Sequence, residues 1–217
     1  MTTIFDVYLF INFVTNKDNN GYLTPPEVSK ALDVAQNALW ENYLGKRQDG
    51  NELALVALQP FYKKTTVISD GNGLALYPSL WAETQAIYKP VAGIDVSLRQ
   101  VLHDELYEAQ SSVMYPIAAN PRYLEQETGA QLYPKVNTTV DWHYLSRPTT
   151  PYIGFTVSGN EVEPSPIDNV ELQFAPQYWN ETIALALKYI GVNLADQQIE
   201  GLVQTFSLNA NNGNNGN

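Results

Sequence analysis

The sequence predicts an α+β fold in which N-terminal and C-terminal helices pack together and the region between them is rich in strands. Three observations predict it. Val28, Leu32, Ala35, Leu39 and Tyr43 recur at spacings of three and four, which lays one apolar stripe along a helix. Trp179, Ile183, Ala186, Leu187 and Ile190 repeat that pattern near the other end. Between them, from Lys64 to Phe174, short β-branched and aromatic runs alternate with Gly, Pro, Asn and Asp. The expected organisation is an N-terminal helical region (1–63), a β-rich middle (64–174), C-terminal helices completing the helical core (175–208) and a disordered Asn/Gly tail (209–217).

The first segment, Ile4 to Val14, is apolar almost all round. Such a helix needs cover on several sides, expected here from the C-terminal helices around Trp179 and Ile183 and from a neighbouring subunit. The second helix, Val28 to Leu44, is expected to stop at Gly45, and a short helical stretch follows from Asn51 to Leu58. Thr65–Ser69 and Leu74–Tyr77 flank Asp70-Gly-Asn-Gly73, which reads as a hairpin turn because both glycines tolerate positive φ. Glu83–Tyr88 reads as a strand and Asp95–Ala109 as a helix carrying Val101, Leu102 and Leu106. Ser112–Ala118, Ala130–Tyr133 and Thr138–Ser146 read as strands, the last with Val140, Trp142 and Tyr144 facing one way and Thr139, Asp141 and His143 the other. Pro148 and Pro151 interrupt pairing, Tyr152–Val157 resumes it, and Ser158-Gly-Asn160 is a turn. Pro176 opens the helix that Gly191 stops, and Asp196 caps a last helix through Phe206.

Residues Asn16 to Glu27, NKDNNGYLTPPE, allow two readings. In one they form an EF-hand calcium loop, with Asn16, Asp18, Asn20 and Glu27 supplying side-chain oxygens, Gly21 the turn and Tyr22 a carbonyl. In the other, Thr24-Pro-Pro-Glu27 is a capping box that starts the second helix without any ion. Asp18 and Glu27 are the only carboxylates among the candidate ligands, and the pattern has no second copy, so weak or absent calcium binding is expected. No metal, cofactor or catalytic residue is assigned.

A chain of 217 residues with 44% hydrophobic content is long enough for a sizeable core. It has no cysteine, which excludes disulfides, thiolate metal sites and cysteine nucleophiles. A net charge of −11 argues against a dedicated nucleic-acid surface, though a local basic patch is compatible with it. The opening lacks a basic segment before its apolar run and carries Asp6 inside it, so neither secretion nor membrane insertion is expected. Phosphate-loop, nucleophile-elbow and His-Glu-x-x-His patterns are missing. His103 with Asp104 and Glu105 reads as a solvated surface, because adjacent residues point to different helix faces, and His143 as a surface or interface residue. The 14 tyrosines suit strand packing, and they leave a carbohydrate-binding module as a third reading beside the calcium-binding one.

The stretch YLFINFVTNKDNNGYLTPPEVSKALDVAQNALWENYLG resembles virion structural proteins of crAss-like and related short-tailed phages of Bacteroidetes. Gln131-Leu-Tyr-Pro134 and Tyr144-Leu-Ser-Arg-Pro148-Thr-Thr-Pro151 are similar to that family's "lyP … YLR-P-x-P" segment, with Ser146 departing from it and Arg147 standing at its arginine. Val170–Phe174 and Leu187-Lys-Tyr-Ile-Gly191-Val-Asn-Leu are similar to its closing "LGVNL" helix. The resemblance implies a non-enzymatic head-to-tail connector subunit made in the host cytoplasm and found at the portal vertex of the virion. It further implies a homo-oligomeric ring, dodecameric in that family, contacting portal and tail proteins while genomic DNA passes through without specific binding.

Overall fold

The computed structural model describes residues 3–17, 22–91, 93–105, 120–159 and 161–192. Its elements confirm the α+β class, with helices at the N-terminus and near the C-terminus and several sheets in the middle. They fall into two compact units, one of residues 1–60 with 148–217 and one of residues 61–147. The second boundary therefore lies at Arg147/Pro148 rather than at 174/175. The expected strand at Ser112–Ala118, the helix from Asp196 and the Asn/Gly tail lie outside the described residues. Among the described residues no helix is long and apolar enough to cross a membrane.

The helical unit is built on α1 (Ile4–Lys17), α2 (Pro25–Gln48), α3 (Glu52–Leu58) and α4 (Trp179–Ile190). α2 packs on α4 and α3, and α1 packs on both α2 and α4. Ile4, Val7, Phe10, Ile11 and Val14 of α1 are buried, as are Trp179 and Ile183 of α4. Each such aliphatic side chain removed from water contributes about 1.5–3 kcal/mol. Thr3 and Asp6 start α1 with reciprocal backbone-to-side-chain bonds of 3.1 and 3.2 Å. α2 runs straight through Gly45, where a glycine costs a helix only about 1 kcal/mol, and ends instead before Gly50, whose φ is +78°. Gly191, at φ +98°, closes α4 by donating to Leu187 and Lys188 carbonyls. The Tyr43 hydroxyl donates to Glu181 Oε2 at 2.8 Å, and burial, reinforced by that carboxylate, pushes its pKa upward.

The described residues between 148 and 174 hold β9 (Phe155–Ser158) and β10 (Glu161–Pro164), an antiparallel pair, and a bridge between Tyr152 and Val170. Gly154 is required where it stands. A Cβ there would meet the Ile167 carbonyl oxygen at 1.8 Å.

The sheet unit carries two four-stranded sheets. One has the order β1 (Tyr62–Ile68), β8 (Thr139–Ser146), β3 (Trp81–Val91), β4 (Ile94–Ser97), all antiparallel. The other has β2 (Leu74–Leu76), β7 (Gly129–Tyr133), β6 (Arg122–Glu125) and β5 (Arg99–Gln100), the last pair parallel. Both sheets bury one cluster, to which Ile87, Val140, Trp142 and Tyr144 come from the first and Ala75, Tyr123, Ala130 and Leu132 from the second. The expected alternation along β8 holds at Val140, Trp142 and Tyr144. Tyr77 stacks on Trp81 at 3.7 Å between ring centroids, and the indole N–H groups of Trp81 and Trp142 both donate to Thr84 Oγ1. Burial, with Glu125 nearby, pushes the Tyr123 pKa up to about 12.

Two expectations fail in this unit. Asp70–Gly73 does form a tight loop, in which Asp70 Oδ1 accepts from Asn72 and Leu74 amides, but the strands it joins pair with β8 and β7 instead of each other. Turn chemistry dictates the chain reversal and not the partner. Asp95–Ser97 and Arg99–Gln100 are strand, not helix: Ile94, Val96 and Leu98 alternate with Asp95, Ser97 and Arg99, and this period of two serves β4, which pairs with β3, and β5, which pairs with β6. A helical turn begins only at His103, and residues 106–109 lie outside the described set.

Candidate functional site

The α1–α2 connection is held by Asn12, a buried polar residue among the apolar side chains of α1. Its Oδ1 accepts from Leu23 N at 2.7 Å, and its Nδ2 donates to Leu23 O at 3.2 Å, so one amide side chain pairs both polar groups of one backbone residue. Tyr8 OH adds a third bond, to the same carbonyl. Glu27 reaches back to the start of α2, where its Oε2 accepts from Thr24 N at 2.8 Å and Thr24 Oγ1 at 2.7 Å. Those bonds hold its carboxyl below the usual carboxylate range, the backbone one most strongly. Asn16 donates its amide to Tyr22 OH. Asp18, Asn20 and Gly21 lie outside the described residues. The carboxylate that would close a calcium loop is thus engaged in the capping arrangement, and Asn16 offers a donor to Tyr22.

A second amide ties distant segments of the helical unit together. Gln36, fully buried on α2, donates through Nε2 to Thr149 O at 3.0 Å and accepts at Oε1 from Gln173 N at 2.8 Å. Gln173 Oε1 in turn accepts from Thr149 N at 2.8 Å. Ser29, about two helical turns earlier on the same face of α2, accepts from Ile153 N at 3.0 Å, and Glu171 Oε2 accepts from Ile4 N at the start of α1. That places a carboxylate on a helix N-terminus, where the dipole favours it. Sequence reasoning passed over Asn12 and Gln36. Their signal was available: an amide inside an apolar helical pattern needs buried partners.

Both histidines belong to the sheet unit. His143 meets Tyr88 edge to face at 5.1 Å. Beside it on β8, Asp141 pairs with Lys64 Nζ at 2.8 Å and accepts from Thr66 Oγ1, which lowers its pKa, the lysine contact most. His103, Asp104 and Glu105 are exposed, and Glu105 accepts from the Leu102 amide. No group of three or more acidic, His or Cys side chains poised for a metal occurs among the described residues. Arg147 is exposed, its amide donating to Leu80 O at 2.7 Å.

Large apolar side chains nevertheless face solvent on the helical unit. Leu53, Leu55 and Val56 are exposed along α3, whose Ala54, Ala57 and Leu58 are buried, and Leu9 and Tyr189 are exposed on α1 and α4. No protein-family model matches the chain, and no curated protein matches it.

Proposed function

We propose that this chain is a non-enzymatic structural subunit of a phage virion, a connector component that joins copies of itself in a ring between portal and tail. The observation that carries the reading is which segments the buried amides bind together. Thr149 and Gln173 lie in two stretches that resemble the phage family, Gln36 and Ile4 in or beside the opening that resembles it, and these four are hydrogen-bonded to one another or to Glu171. The resemblance thus falls on residues that build one scaffold, as expected of a family related by architecture rather than by chemistry.

The exposed leucines and valine of α3 supply apolar area suited to a subunit contact, and a net charge of −11 suits a wall along which DNA moves without capture. Quantitative mass spectrometry of purified particles tests the assignment. The protein should be present at the copy number of a single vertex, about twelve on the symmetry the resemblance implies. Absence from the particle, or hundreds of copies as in capsid decoration, overturns it.

A further inference from the structure

Arg122 is a charged side chain in the wrong surroundings for an isolated protein. It is only 9% exposed, its Nε has no hydrogen-bond partner, and no ion pair from it is found among the described residues. Its neighbour across the parallel β5–β6 pair is Arg99, which sits directly in register with it and equally lacks a carboxylate among the described residues. Residues in register share one face of a sheet, and like charges there repel. On β6's other side Arg122 is in register with Tyr133, and Lys135 places its Nζ 5.8 Å from that ring. Three of the chain's 12 cations therefore gather at one sheet face of an acidic protein.

A buried guanidinium is tolerated when an anion fills its fork, and two arginines in register, with no ion pair to either among the described residues, are an arrangement that an oxyanion resolves. We propose that Arg122 and Arg99, with Lys135 beside them, form a binding site for a phosphate-class oxyanion. Phosphate fits better than carboxylate: its oxygens can bridge two forks, and a charge beyond −1 answers more than one of the three cations. The source is either free phosphate or the phosphodiester of a nucleic-acid backbone. The site does not depend on the connector reading, and either idea can fail without the other.

The test uses the full chain in thermal unfolding, with inorganic phosphate, acetate and chloride compared at equal ionic strength. Phosphate should raise Tm by about 3 °C at roughly ten times its Kd. Arg99→Gln, at an exposed position, should fold normally and bind phosphate about tenfold more weakly. Arg122→Met should abolish the phosphate effect while matching or exceeding the wild-type Tm without phosphate, because an unpaired buried charge has gone. Anisotropy with a labelled DNA duplex separates the sources: binding weakened by Arg99→Gln assigns the phosphodiester, and phosphate stabilisation without duplex binding assigns the free anion. Equal Tm in phosphate and chloride overturns the site, and so does acetate stabilising as strongly as phosphate.

Discussion

The two units are held together by different means. The sheet unit is one unbroken stretch of chain, closed by strand ladders and a shared aromatic cluster around Trp142. The helical unit is made of two stretches far apart in sequence, and its irregular half, 148–174, is fastened to the helices by side-chain amides, a serine and a carboxylate. Strand ladders pair backbone with backbone and tolerate many side chains. A segment without a ladder must find its partners among specific side chains, so a few polar residues in the helical unit carry structural weight that the sheet unit spreads over many.

Hydrogen exchange resolved by unit can break this comparison, most sharply with Trp142→Ala. Removing that fully buried indole should cost about 3–5 kcal/mol and expose the amides of β1, β3 and β8, with those of α2 and α4 less affected. Gln36→Ala should do the converse. It leaves Thr149 O and Gln173 N without their partner, costs about 2–4 kcal/mol, and should loosen residues 148–153 and 173 first. If both variants lose protection uniformly across the chain, the units form one cooperative block and the contrast fails.

The smallest effect expected is at Glu27. Its folded pKa lies below the ordinary value, so the stability it contributes is present above the unfolded value of 4.5 and disappears as pH falls through the folded one. Glu27→Gln should therefore cost under about 1 kcal/mol near neutrality for this exposed group, and the difference from wild type should vanish in acid. Calcium should shift neither protein's Tm. A micromolar calcium site lost in Glu27→Gln would restore the ion-binding reading of the loop.

What the sequence made legible was decided locally. The stripes of α2 and α4, the αL stop at Gly191, the strand alternation of β8 and the Thr24–Glu27 pair all follow from residues within a turn or two of each other. What stayed hidden depends on partners. Gly45 survives inside a helix because the apolar stripe packs on α4, Asp95–Ser97 and Arg99–Gln100 turn to strand because β3 and β6 are there to pair with, and the loop at Asp70 sends its two strands to different sheets. The Gln36 bracket joins residues 113 and 137 positions apart, a distance no spacing rule covers.

The interruption of the helical unit by the sheet unit sets a schedule on the ribosome. β1 leaves the exit tunnel with no ladder partner until β8 follows, since Thr66 waits 75 positions for Asp141. α2 waits longer, because Thr149, Gln173 and α4 all come after the last strand of the inserted unit. Synthesis in this order lets the insert complete itself first, while the apolar faces of α1 and α2 stay uncovered by their final partner. A nascent chain halted between residues 147 and 179 is thus the form most open to chaperone capture, and the arrival of α4 covers the face of α2 that packs on it.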